Sequence, residues 1–100
     1  MSPQGEIALV TGASRGIGMS IARVLGAQGA TVIGTATSEK GAQAISDYLA
    51  QAGITGSGMA LNVTDVDSVA ETLKAITDQY GAISILVNNA GITRDNLLMR

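Results

Sequence analysis

The sequence predicts an α/β fold: the N-terminal β-α-β-α-β-α-β part of a Rossmann-type, doubly wound parallel sheet with strand order 3-2-1-4. Three observations carry that expectation. Short apolar runs alternate with segments of helical periodicity. A glycine-rich turn, Thr11-Gly12-Ala13-Ser14-Arg15-Gly16-Ile17-Gly18, joins the first apolar run to the first helical segment. The apolar set is aliphatic, with 46% hydrophobic residues and neither Phe nor Trp, as suits strands buried on both faces beneath helices. Alternation at this spacing implies right-handed crossovers between parallel strands, with the switch point between strands one and four.

Each element follows from local pattern. Residues 7–11 read as the first strand. Ile17, Ile21 and Leu25 then recur every four residues and predict one face of a first helix, ended by Gly26 and Gly29. Residues 31–36 form the second strand. Ser38 is placed to cap a second helix whose inward face is Ala42, Ile45 and Leu49, with Gly53 at its end. Gly56-Ser57-Gly58 reads as a lead-in to a third strand over 59–63. Thr64 is expected to cap the third helix, with Asp65 and Asp67 in its first turn, where the helix dipole favours negative charge. The apolar face of that helix is the most regular in the chain: Val66, Val69, Leu73, Ile76 and Tyr80, stopped by Gly81. Residues 83–87 form a fourth strand, apolar except for Ser84. After Gly91 the chain turns polar before Leu97-Leu98-Met99, where a helix or docking segment is expected to start.

Composition excludes several function classes. One hundred residues suit one small domain or part of a larger one. Net charge is −2, with six basic and eight acidic residues scattered singly, so no basic stripe for nucleic acid exists. With only two aromatic residues, a base-stacking platform is not expected either. Cysteine and histidine are absent, which removes disulfides, thiolate nucleophiles and the commonest metal ligand and general base. No run approaches the roughly 20 apolar residues that span a bilayer, and no signal peptide is evident. The expectation is a cytoplasmic protein that binds neither nucleic acid nor membrane, with no metal site.

The glycine turn carries the ligand chemistry. Its spacing is G-x-x-x-G-x-G, and strand before and helix after make it a phosphate-binding candidate. Gly12 allows a sharp turn, Gly16 removes a side chain where a pyrophosphate would approach the backbone, and Gly18 lets helix pack on strand. No Lys-Ser or Lys-Thr pair follows Gly18, so a Walker-type loop is excluded. The other reading is a glycine-rich turn without a ligand. Dinucleotide folds that prefer NAD often carry an acid at the end of strand two, which bonds the ribose 2′-hydroxyl. Here the sequence runs Gly34-Thr35-Ala36-Thr37-Ser38, with no acid before Glu39. Arg15, Thr37 and Ser38 are suited to hold a 2′-phosphate by charge and hydroxyl bonds, which points to NADP. Against this stands the reading of Arg15 as a solvated loop charge and Ser38 as a helix cap alone. Asn88-Asn89-Ala90-Gly91 follows strand four, where small residues permit close approach and asparagine can tie strand ends together; alone it reads equally as a plain turn.

Thr11-Gly-x-x-x-Gly-x-Gly18 together with Asn88-Asn-Ala-Gly91 resembles the short-chain dehydrogenase/reductases, across all 100 residues. The resemblance implies cofactor contacts from Gly12, Ser14, Arg15, Gly16, Ile17, Gly18, Thr37, Ser38, Asn89, Ala90 and Gly91. Asn62-Val63 stands where that family has an Asp-Val pair contacting adenine, so Asn replaces Asp. Within the family, residues 8–18, 32–38 and above all 91–100 are similar to members that reduce 3-oxoacyl thioesters on acyl-carrier protein in fatty acid synthesis. That similarity implies an NADPH-dependent reduction to the 3-hydroxyacyl form, acyl-carrier protein as partner and a homotetramer. It also implies an Asn-Ser-Tyr-Lys catalytic set lying beyond the Asn-Asn-Ala-Gly segment.

No substitute for that set is found. Ala52 stands four residues after Tyr48 and Ser84 four after Tyr80, so neither makes Tyr-x-x-x-Lys. Lys40 and Lys74 read as solvated helix charges. The expectation is therefore the N-terminal part, over 1–100, of a single NADP-binding Rossmann domain. The catalytic half is absent, the 100 residues are inactive alone, and the outer edge of strand four is exposed to aggregation. Two further readings stay open: a nucleotide-binding module without chemistry, and a short-chain reductase of another substrate. A purely structural role stands behind both.

Overall fold

The computed structural model describes residues 4–62 and 65–89. The order is β1 (Ile7–Val10), α1 (Gly16–Ala27), β2 (Thr31–Ala36), α2 (Glu39–Gln51), β3 (Gly56–Ala60), α3 (Val66–Tyr80) and β4 (Ile85–Val87). All strands are parallel and lie in the order β3-β2-β1-β4. This is the expected Rossmann-like arrangement. In β1, Leu9 stands opposite Ile33 on one side and Leu86 on the other.

The period-two alternation of the strands divides the core into two layers. Ala8 and Val10 of β1 and Val32 and Ala36 of β2 turn toward α1 and α2, where they meet Ala22, Ile45 and Leu49. Leu9 and Ile33 turn the other way and meet Ile76 of α3. The inward face predicted for α2 is therefore the one it buries. Its cap is also the expected one: Ser38 Oγ accepts the Gly41 N–H at 3.1 Å.

Several elements differ from the sequence reading. The lead-in Gly56-Ser57-Gly58 is strand, paired with Val32, Ile33 and Gly34. A Cβ at Gly58 would collide with the Ala42 carbonyl and lie 2.8 Å from the Ile45 Cβ. Glycine is thus what lets α2 lie on β3, and this packing overrides glycine's poor strand propensity. Regular pairing ends at Ala60, although the Leu61 N–H still donates to the Ala36 carbonyl at 2.8 Å. Val63 and Thr64 lie outside the described residues, and the cap of α3 is Asp65, which accepts the Ser68 N–H at 3.2 Å. β4 begins at Ile85 because Ser84 acts as a bracket: its Oγ accepts the Ile7 N–H at 3.1 Å and its own N–H donates to the Ile7 carbonyl at 2.9 Å. α1 ends at Ala27, within the predicted Gly26–Gly29 stop: Gly29 follows the cap residue Gln28 at φ 99°, and the penultimate helical residue is Gly26. It lies within the helix, where a Cβ would come 2.5 Å from Ile54. Positions 97–99 lie outside the described residues.

Two predicted helix faces are only partly buried. In α1 the sheet-facing residues are Gly18 and Ala22, while Ile17 is 71% exposed. In α3 only Ile76 is fully buried; Val66 is 79% and Leu73 37% exposed. The C-terminal half of α3 docks through Ile76 and Tyr80, and Tyr80 Oη is 3.2 Å from Ser57 Oγ of β3.

Ile45→Ala is expected to destabilise the fold by about 2–5 kcal/mol, through lost transfer energy and a cavity under β2 and β3. Val66→Ala is expected to stay within about 0.5 kcal/mol. Urea midpoints of the two variants check both; equal losses would show that the apolar face of α3 is buried along its length.

Candidate functional site

The carboxyl ends of β1 and β4 meet at the topological switch point, where α/β sheets open a crevice. Thr11 leaves β1 there, only 6% exposed. Its N–H donates to the Val87 carbonyl at 3.0 Å. Its hydroxyl donates to Asn88 Oδ1 at 3.1 Å and accepts the Asn89 N–H at 2.8 Å. The Asn89 side-chain amide donates to the Gly12 carbonyl at 3.3 Å. The two motifs are therefore bonded to each other, and the asparagines tie strand ends as their residue type suggests.

Backbone conformation explains two of the glycines. Gly12 has φ 63° and Gly16 φ 64°, both in the left-handed region that side chains disfavour. A Cβ on Gly16 would project into open space. Gly18 is required by proximity instead: a Cβ there would collide with the Gly12 carbonyl and lie 2.7 Å from Asn89 Nδ2. Helix α1 thus starts hard against the crevice. Arg15 is its N-cap residue, and no side chain caps the helix. The leading N–H groups of α1, including those of Gly16, Ile17 and Gly18, are suited to an anion at that position.

Ala13 is held from two sides. Its N–H donates to the Thr35 carbonyl of β2 at 2.9 Å, and its carbonyl accepts the Tyr48 hydroxyl of α2 at 2.7 Å. Half-burial pushes the Tyr48 phenol above its ordinary value, while the nearby Arg23 charge opposes that rise. Tyr48 is a contact that sequence reading missed. The available signal was its position three residues after Ile45, at the margin of the buried face.

Two recesses flank the turn. One, of about 370 Å³, is lined by Ser14, Arg15, Thr37, Ser38 and Lys40 among others. It gathers the residues expected around a 2′-phosphate and adds Lys40, which sequence reading took for a solvated helix charge. Ser38 caps α2 and also lines this recess, so serving as the cap does not withdraw it from the recess. The other recess, of about 310 Å³, is apolar and lies between the sheet and α3, lined by Leu9, Leu61, Val69, Leu73 and Leu86, with Thr11 and Asn88 at its polar edge. Asn62 is exposed just beyond Leu61, and its carbonyl accepts the Asp65 N–H at 3.0 Å. Val63, Ala90 and Gly91 lie outside the described residues. Among the described residues no cluster of carboxylates could hold a metal ion, and no helix is long and apolar enough to cross a membrane.

A parallel sheet in this order, with a glycine turn bonded to an Asn-Asn segment at the switch point, is the architecture of a family that the sequence itself matches. The short chain dehydrogenase model aligns with residues 6–99, and the chain belongs to that family, whose members are oxidoreductases working with a nicotinamide cofactor. It is 70% identical over 100 residues to the 3-oxoacyl-[acyl-carrier-protein] reductase FabG of Vibrio harveyi. Identity to the proteins of the same name is 65% for Escherichia coli (strain K12) and 58% for Pseudomonas aeruginosa. Each match covers 100% of this chain and 40% of the relative. The chain therefore spans about two fifths of the length of these curated relatives and corresponds to their N-terminal portion.

Tyr48→Phe is expected to cost about 1 kcal/mol by removing the bond to Ala13. Because the folded phenol titrates above its unfolded value, the stability this group adds is fully present below about pH 10 and is lost as pH rises through the raised folded value. Denaturant midpoints across that range should converge for the parent and Tyr48→Phe; a constant gap would contradict the assignment.

Proposed function

We propose that the whole protein reduces 3-oxoacyl-[acyl-carrier-protein] to the 3-hydroxyacyl form in fatty acid synthesis, using NADPH. These 100 residues would be the N-terminal part of its single NADP-binding Rossmann domain. The observation that carries this reading is identity of 65–70% to relatives bearing that name; the anion-suited turn beside a cationic recess is consistent with it. In this proposal acyl-carrier protein is the partner, and the protein is a cytoplasmic homotetramer.

The residues present fit the cofactor. The start of α1, which no side-chain hydrogen bond caps, suits a pyrophosphate, with the Cβ position of Gly16 left open for its approach. NADPH supplies a hydride that, with a proton, turns the 3-oxo group into a 3-hydroxyl. Gly12, Gly16, Ile17 and Gly18 shape and line the phosphate turn. Arg15, with the hydroxyls of Ser14, Thr37 and Ser38, takes the 2′-phosphate. The family resemblance would assign Asn62 and Val63 to contact with the adenine, and Asn89, Ala90 and Gly91 to further contact with the cofactor; of these, Asn62 and Asn89 are among the described residues.

No proton donor is assigned among the described residues. Tyr48 holds Ala13 and Tyr80 meets Ser57, so both hydroxyls serve the scaffold. The proton step is assigned to the part of the relatives' length that this chain does not span. That division also favours a second reading for the 100 residues by themselves: nucleotide binding without turnover.

NADPH consumption by the whole protein should require a 3-oxoacyl thioester on the carrier protein. Faster turnover of an unrelated carbonyl would favour a reductase of another substrate. Arg15→Ala is expected to weaken NADPH binding by about 1.5–3 kcal/mol and to leave NADH nearly unchanged, as read by cofactor fluorescence. Equal loss for both cofactors would refute the 2′-phosphate role.

A further inference from the structure

We infer that Lys40 is the second cation of a two-cation phosphate seat and strengthens the preference for a 2′-phosphorylated adenosine. The inference rests on the NADP reading proposed above and concerns a residue that the motif does not contain. Lys40 lies in the first turn of α2, and the recess it lines also holds Arg15 and the hydroxyls of Ser14, Thr37 and Ser38. A Cβ on Gly41 would lie 2.6 Å from the Ala36 Cβ and 3.6 Å from the Ser14 Cβ. The start of α2 is therefore pressed onto the end of β2 and against the glycine turn, which brings Lys40 into one recess with Ser14 and Arg15.

Electrostatics favours a dianion in this seat. A cation in the first turn of a helix opposes the helix dipole, and a second cation lines the same recess. Lys74 is neutralised by Asp78 at 3.0 Å, whereas neither Arg15 nor Lys40 forms an ion pair among the described residues. Glu39 precedes Lys40 and is exposed, outside the recess lining. Ser38 Oγ already accepts the Gly41 N–H, which leaves its O–H to donate. Donors and cations without a carboxylate suit a phosphate and give no advantage to a ribose 2′-hydroxyl. Lysine, a flexible point charge, reaches such a group without the fixed geometry of arginine.

The test titrates the protein and its Lys40→Gln, Lys40→Glu and Lys40→Arg variants with NADPH and NADH, and with adenosine 2′,5′-bisphosphate and adenosine 5′-monophosphate, by fluorescence and calorimetry at two salt concentrations. Lys40→Gln should weaken the two 2′-phosphorylated ligands roughly three- to fivefold and Lys40→Glu more. The other two ligands should be unchanged, the salt dependence shallower, and Lys40→Arg close to the parent. Because Lys40 is exposed, thermal midpoints should not move. Unchanged binding in Lys40→Gln, with NADPH lost in Arg15→Ala, overturns the role of Lys40 and leaves the NADP reading standing. Equal affinity of the parent for NADPH and NADH overturns that reading and this inference with it. A parallel loss for all four ligands overturns the specific role.

Discussion

At Gly18 a single missing methyl group lets α1 lie against the Gly12 carbonyl, with the Asn89 amide in the same space. The other features of the crevice depend on that approach. It places the uncapped start of α1 at the end of β1. It brings the glycine turn within bonding distance of the segment after β4, and it leaves Thr11 as the shared node of both strands. Hydrogen bonds around a residue as buried as Thr11 are costly to break, so the turn and the Asn-Asn segment hold each other in register. A side chain at position 18 would separate them and remove the helix start from the crevice.

The same economy of side chains governs α2. Gly34 and Gly58 present bare backbone to Ile45, and Gly41 presents it to Ala36. The helix therefore lies close on β2 and β3, and two consequences follow at its ends. Toward its C-terminal end, Tyr48 reaches the Ala13 carbonyl and braces the turn. At its start, Ser38 and Lys40 come to share a recess with Ser14 and Arg15. One helix thus supports the backbone of the phosphate turn and supplies side chains to the neighbouring recess. An aliphatic core without Phe or Trp is what such close layers require.

On the opposite face the packing is looser. Ile76 and Tyr80 anchor the end of α3, while its first half diverges from the sheet and leaves an apolar recess floored by Leu9 and Leu86. The most regular amphipathic stripe in the chain is thus the least completely buried. Periodicity reports which residues are alike along a helix; it does not report how far the helix stands from its sheet.

Sequence by itself determined the class of fold, the strand order, the exact extent of β2, the inward face of α2 and the meeting of the glycine turn with Asn88 and Asn89 at one crevice. Those features follow from local period, capping chemistry and handedness, each readable within a few residues. Tertiary structure alone decided that Gly56-Ser57-Gly58 is strand, that Gly26 packs under Ile54 and that Ile17 faces outward. It also decided that Tyr48 braces the turn and that Lys40 lines one recess with Arg15. Each of these depends on the distance between elements remote in sequence, a quantity set by side-chain volume at facing positions and carried by no local pattern.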